Sequence, residues 1–248
     1  MKSKTKSYFL YGKHTTLAAM QNHKRQIINI LCAQDFLDNP EFKKHISKLP
    51  HKIVTKSYLD KLLGTGSVHQ GIAIETLPIT SQSLDSIDFT LNQTLVILDH
   101  LTDNQNFGSI LRSAATFNIA NIIIPADHCV KENGALAKAA SGALELINLI
   151  EVININQTIE TLKKNGFWVV GLDHDAELKL QDYQIPPKLA IILGSEDQGI
   201  RKLTRSKCDT LLKIPIIQNN LIDSLNVSIA ASITFYEIFK TNSLNTKL

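Results

Sequence analysis

Cysteine is scarce in this 248-residue chain: Cys32, Cys129 and Cys208 are the three, and they lie far apart. None stands at metal-ligand spacing from a histidine, and neither HExxH nor CxxC occurs. A disulfide framework, a structural zinc site and a redox dithiol therefore have no basis, and metal-free chemistry with packed thiols is expected. Long apolar runs are also missing, so no membrane-spanning segment is expected. The start, MKSKTKSYFLYGKH, is basic but has no apolar core of the kind a signal peptide needs, which makes a cytoplasmic protein the expectation. No GxGxxG follows a strand pattern, which disfavours a dinucleotide-binding domain of the Rossmann type.

What the chain does hold is an ordinary globular composition, 44% apolar and 20% charged. Its net charge of +3 conceals a division along the sequence. Residues 1–75 carry 12 Lys/Arg against 5 Asp/Glu, whereas the remainder carries 14 against 18. A basic first third suits a polyanionic partner, because each cation facing a phosphate releases counterions. The mixed polar stretch TLPITSQSLDSIDFTLN marks a linker. The expected organisation is an N-terminal module over 1–75 for that polyanion, a linker over 76–93 and a larger domain over 94–248.

In the first module LAAMQNHKRQIINILC reads as a helix, FKKHISKLP as a second and VHQGIAIET as a strand. Downstream, the strand patterns TLVILD, NIIIP, LINLIEV, FWVVGL, LAIILG and TLLKIP are interleaved with the helical patterns GSILRSAATF, GALAKAASGAL, TIETLKKN and RKLTRSK. A last apolar helix follows. Short apolar runs separated by helices indicate a mostly parallel sheet covered on both faces. Ligands of such sheets bind in the loops at the carboxyl ends of the strands.

Three of those loops are unusual. DHLTDNQNFGSILR contains NxGxxxR, from Asn106 through Gly108 to Arg112, with Gly108 expected at the start of the helix. Spacing of four puts Gly108 and Arg112 on one helix face, an open backbone beside a guanidinium suited to clamp a phosphate or carboxylate. An ordinary surface arginine has the same signature. In GSEDQGI, Gly194 and Gly199 bracket Glu196 and allow close backbone approach to a ligand. In DSLNVSIAAS, Ser224 has the position of a helix cap, which leaves Asn226 unexplained one residue inside the helix.

Taken together and in order, these loops resemble the SpoU/TrmH family of RNA ribose 2′-O-methyltransferases, in the SPOUT superfamily. Asp103, Asn106, Gly108 and Arg112 match its first motif, and Gly194, Glu196 and Gly199 its second. Ile214, Pro215, Ser224, Leu225, Asn226 and Val227 match the third. YGKHTTLAAM, GSVHQGIAIE and SGALE are similar to segments of the branch that methylates guanosine in large-subunit rRNA, whose N-terminal module is ribosomal-protein-like. The chain departs from the family at Asn104, where proline is usual, at Asp197, where glycine is common, and in the longer segment IIQNNLID.

The resemblance implies an α/β fold with a trefoil-knotted catalytic domain binding S-adenosyl-L-methionine through Gly194, Ile214 and Leu225. It implies that Arg112, Asn106, Asn226, Ser224 and Glu196 carry the chemistry on 23S rRNA, and that the last helix packs in a homodimer. A tRNA methyltransferase and a non-catalytic RNA-binding protein on the same fold are the alternatives.

Overall fold

The computed structural model describes residues 6–64, 66–127, 129–195, 198–217 and 224–245, without the side chains of 243–245. In the first eighty residues the elements are β1 (Tyr8–Tyr11), α1 (Lys13–Gln21), β2 (Ile27–Cys32), α2 (Asp35–Asp38), α3 (Pro40–Ile46), β3 (His51–Ile53), α4 (Lys56–Leu63) and β4 (Ile72–Thr76). The rest holds β5 (Thr94–Leu98), α5 (Asn104–Thr116), β6 (Asn121–Pro125), α6 (Gly134–Ala140), β7 (Asn148–Val152), α7 (Ile155–Lys164), β8 (Trp168–Leu172), β9 (Leu178–Lys179), β10 (Leu189–Leu193), α8 (Lys202–Ser206), β11 (Thr210–Lys213) and α9 (Val227–Asn245). These form two compact units, Met1–Thr80 with Lys131–Leu146, and Ser81–Val130 with Ile147–Leu248.

The first unit is a four-stranded sheet in the order β1-β4-β2-β3, with α1 among the helices packed against it. IINILC, expected as the tail of a helix, is strand β2: its residues Ile30–Cys32 pair with Ile72–Ile74 of β4. A six-residue apolar run fits either period, and the pairing partner decides. The glycine-bearing turns of YGKH and GSVHQG meet, since Gln70 Oε1 accepts from the Lys13 amide at 2.9 Å and Ile72 O from the Gly12 amide at 3.3 Å.

Residues 131–146, expected within the second domain, pack into this unit. The cause is Arg25, whose side chain is fully buried and ion-paired to both Glu132 and Glu145. Its guanidinium also meets the Leu77 carbonyl at 3.2 Å, and Asn22 Nδ2 donates to Glu145 at 2.7 Å. Charges taken out of water persist only when they are matched in this way.

The second unit holds a seven-stranded sheet in the order β7-β6-β5-β10-β8-β11-β9, with every neighbouring pair parallel. Strand β5 lies inside it with Leu95, Val96, Ile97 and Leu98 all fully buried. Burying each such side chain contributes about 1.5–3 kcal/mol, which explains an apolar run without alternation. On one face Ile155, Ile159 and Leu162 of α7 join the core of Leu95, Ile97, Val169 and Ile192. The stretch expected as a linker is anchored here: Gln82 bridges Ile150, and Ile87 is buried in the same cluster.

Helices α5 and α9 pack on each other, with Ser113 Oγ and Ser232 Oγ 2.7 Å apart. Helix α9 buries Ala231, Phe235 and Ile238 yet leaves Ile229, Tyr236 and Phe239 exposed by 52, 50 and 43%. It is apolar on more than one side, as expected, and one apolar side faces outward. Among the described residues no helix is long and apolar enough to cross a membrane. Cys32 is buried, and burial pushes the Cys129 and Cys208 thiols up to about 12.

Candidate active site

The carboxyl ends of β8, β10 and β11 converge on a cavity of about 440 Å³. From β10 and the turn after it come Leu193, Gly194, Ser195, Gln198 and Gly199; β11 leads to Ile214 and Ile216, and the entry to α9 adds Ser224, Leu225, Asn226 and Val227. Strand β8 adds Leu172, followed by Asp173 and His174. Among the described residues, no lysine or arginine lines the cavity. The cavity thus lies beyond the carboxyl ends of neighbouring parallel strands, where the ligands of such sheets gather.

The turn after β10 is tightly drawn. Ser195 and Gly199 exchange both backbone hydrogen bonds, at 3.1 and 3.0 Å, and Gly199 sits at φ 63°. Gly194 has no room for a side chain, because a Cβ there would stand 2.0 Å from the Gly199 carbonyl carbon. Glycine is required at 194 for close approach of two backbones, and at 199 for the left-handed conformation. Glu196, expected here as a catalytic residue, lies outside the described residues, as do Asp197 and residues 218–223.

The entry to α9 revises the expectation for DSLN. Asn226, not Ser224, caps the helix: its Oδ1 accepts from the Ser228 amide at 2.9 Å and hydroxyl at 2.6 Å. Its Nδ2 donates to Asn106 Oδ1 at 3.0 Å. One amide therefore closes a helix end and ties the third motif to the first. Ser224 lines the cavity beside it.

Helix α5 opens at Asn104, capped by Asp103, whose carboxylate accepts from the Asn106 amide at 2.7 Å. Gly108 accordingly lies in the second turn and is buried, so the expected open backbone beside Arg112 is not formed. Asn104 takes the first helical position, where proline is favoured but not needed.

Gly194, Ile214, Leu225, Ser224 and Asn226 thus share one cavity, and Asn106 adjoins it through Asn226. Arg112 does not join them: it is exposed and absent from the lining. Helix geometry puts it about 9 Å beyond Asn106 along the axis and about 120° round it. Sequence reasoning missed Asp173 and His174, which have no motif. It also missed Asp99 and Arg201. Asp99 is fully buried at the end of β5; Arg201 Nη2 lies 2.7 Å from its Oδ1, and Nε donates to Oδ2 at 3.1 Å. The lone charge closing TLVILD was the available signal.

Burial works to raise the Asp173 carboxyl. The Arg205 guanidinium bonded to it and the Asp175 amide outweigh burial and hold it below the usual carboxylate range.

Fold and cavity define a parallel α/β domain built to hold a small molecule at the carboxyl ends of its strands, joined to a smaller basic unit. The family model for SpoU rRNA methylases matches residues 93–236, and the chain belongs to that family of TrmH/SpoU RNA methyltransferases. A second model, RNA 2′-O ribose methyltransferase substrate binding, matches residues 9–81. A Staphylococcus epidermidis protein named for the TrmH family of tRNA/rRNA methyltransferases is 37% identical over 88% of this chain and 84% of its own length. A Staphylococcus saprophyticus protein of the same name is 33% identical over 93% of this chain and 94% of its own. Among solved structures, the SpoU methyltransferase AviRb from Streptomyces viridochromogenes, in complex with AdoMet, superposes with a TM-score of 0.81. It is 18% identical, covering 96% of this chain and 91% of that one, and so speaks for the fold.

Proposed function

We propose that this protein methylates a ribose 2′-hydroxyl in RNA, at a guanosine of 23S rRNA, with S-adenosyl-L-methionine held in the cavity at the ends of β8, β10 and β11. The observation that carries the reading is the meeting of two motifs at that cavity's mouth, through the 3.0 Å bond from Asn226 to Asn106. The residues present fit the donor. A volume of about 440 Å³ lies within the usual range of small-molecule sites, about 300–1,000 Å³. Among the described lining residues there is no lysine or arginine to repel a cationic sulfonium, and Asp173 is a carboxylate on the wall.

Bound there, S-adenosylmethionine supplies a methyl group already activated on sulfur. The protein's work is then alignment and proton removal. Leu172, Leu193, Ile214, Ile216 and Leu225 keep water from the donor, and the crossing at Gly194 and Gly199 offers backbone groups to it. Asn106 and Asn226 orient the ribose, whose oxygen would take the methyl as the methyl–sulfur bond breaks, its hydroxyl proton passing to a transiently deprotonated Arg112 or to water. Holding reacting atoms about 3–3.5 Å apart supplies much of the acceleration.

Arg112 acts on the substrate phosphate as a planar clamp, or gives up a proton transiently once that phosphate engages it; a guanidinium otherwise stays charged. Because Arg112 does not line its own cavity, we read it as serving the cavity of a second copy in a homodimer. The outward apolar side of α9, with Ile229 and Tyr236, supports that reading. The basic first unit recruits the RNA. Mapping ribose methylation in RNA from cells lacking the protein tests the proposal. Loss of one 23S guanosine mark supports it; loss of a tRNA mark moves the substrate, and no lost mark overturns the enzymatic reading.

A further inference from the structure

Asp99 grips the donor turn at both ends. On the entry side its backbone amide donates to the Leu193 carbonyl at 2.8 Å, in the last residue of β10 before Gly194. On the exit side its carboxylate holds Arg201, two residues past Gly199, through the 2.7 and 3.1 Å contacts. Between those points the chain makes the Ser195–Gly199 pair and the crossing that leaves no space for a Cβ at Gly194.

Asp99 is fully buried, whereas the Arg201 side chain is 41% exposed. A buried carboxylate requires its cation, so the free segment is drawn to the fixed one. Asp99 is fixed by β5, all of whose residues from Leu95 to Leu98 are fully buried. The same strand leads through Leu101, 1% exposed, to the Asp103 cap and Asn106.

We propose that Asp99 and Arg201 are positioning residues: they set the width of the turn that holds the methyl donor and tie it to the strand that carries Asn106. This rests on the proposed function for the identity of the ligand, though not for the state of the turn. Without the pair, β10 still ends at Leu193, but the exit from Gly199 is no longer held and the Ser195–Gly199 bonds open more often.

The test uses the full chain with Arg201→Gln, Arg201→Lys and Asp99→Asn. Because Arg201 is partly exposed, its variants remain informative if Asp99→Asn fails to fold. Hydrogen exchange of the Ser195 and Gly199 amides, without donor, should accelerate about tenfold in Arg201→Gln and less in Arg201→Lys, while the amides of β5 hold. Titration with S-adenosylmethionine should show a dissociation constant raised about tenfold in Arg201→Gln, the ratio that about 1.4 kcal/mol represents, with KM for RNA unchanged. Unaltered exchange at both amides overturns the proposal whatever the ligand. Tight binding by the wild type and equally tight binding by the Gln variant overturn it too. If wild type binds no donor but the exchange effect appears, the positioning claim for the turn stands and the functional reading fails.

Discussion

Asn226 performs two tasks that substitution can separate. Its Oδ1 caps α9, and its Nδ2 reaches Asn106 at 3.0 Å. Asn226→Ala removes both. Loss of a cap costs about 1 kcal/mol, and in a protein of this size each kcal/mol shifts Tm by about 2–4 °C, so calorimetry should find a fall of that order. Asn226→Asp keeps the acceptor for Ser228 and adds a negative charge at the N-terminus of a helix, worth about 0.3–1 kcal/mol. Its Tm should equal or exceed that of the wild type. It loses the donor, however, and turns a carboxylate oxygen toward Asn106 Oδ1. Forfeiting such a bond costs about 0.5–1.5 kcal/mol, so methyl transfer to RNA should fall about two- to tenfold in both variants. Wild-type turnover in Asn226→Asp would refute the role of the amide bridge, and an unchanged Tm in Asn226→Ala would refute the cap.

Arg112→Lys should abolish turnover and leave donor affinity within a few-fold, because lysine lacks the planar fork needed for a bidentate grip; near-normal turnover removes both readings of Arg112. Gly194→Ala should lose donor binding in calorimetric titration, since the added carbon would stand 2.0 Å from the Gly199 carbonyl carbon. Replacing the exposed Lys43, Lys44, Lys48 and Lys52 by glutamine should reduce the salt slope of RNA binding by up to about four, whereas an unchanged slope takes RNA away from that surface. Asp173 is held below the usual carboxylate range, so its pairing stabilises the fold above that range and the benefit disappears as pH falls through its lowered value. Arg205→Gln should therefore lower Tm at neutral pH, with the gap from wild type closing in acid; a gap that widens in acid contradicts the pairing.

Local signals determined much by themselves. Apolar runs such as TLVIL and LAIIL, punctuated by polar turns, announced a parallel α/β sheet because a strand buried on both faces cannot alternate. Two of the three motif loops line the cavity and the first reaches it only through Asn106, because ligands of such sheets gather at strand ends and glycines such as Gly194 reveal where backbones must approach. Tertiary structure decided what depends on distant partners. IINILC became a strand only by pairing with β4, and residues 131–146 joined the first unit because Glu132 and Glu145 answer the buried charge of Arg25. Asn226 took the cap from Ser224 once α9 began at Val227, and Asp99 met Arg201 across about a hundred residues of sequence. Periodicity describes what one segment prefers; which groups satisfy a buried charge or an open helix end is set by whatever the fold brings alongside.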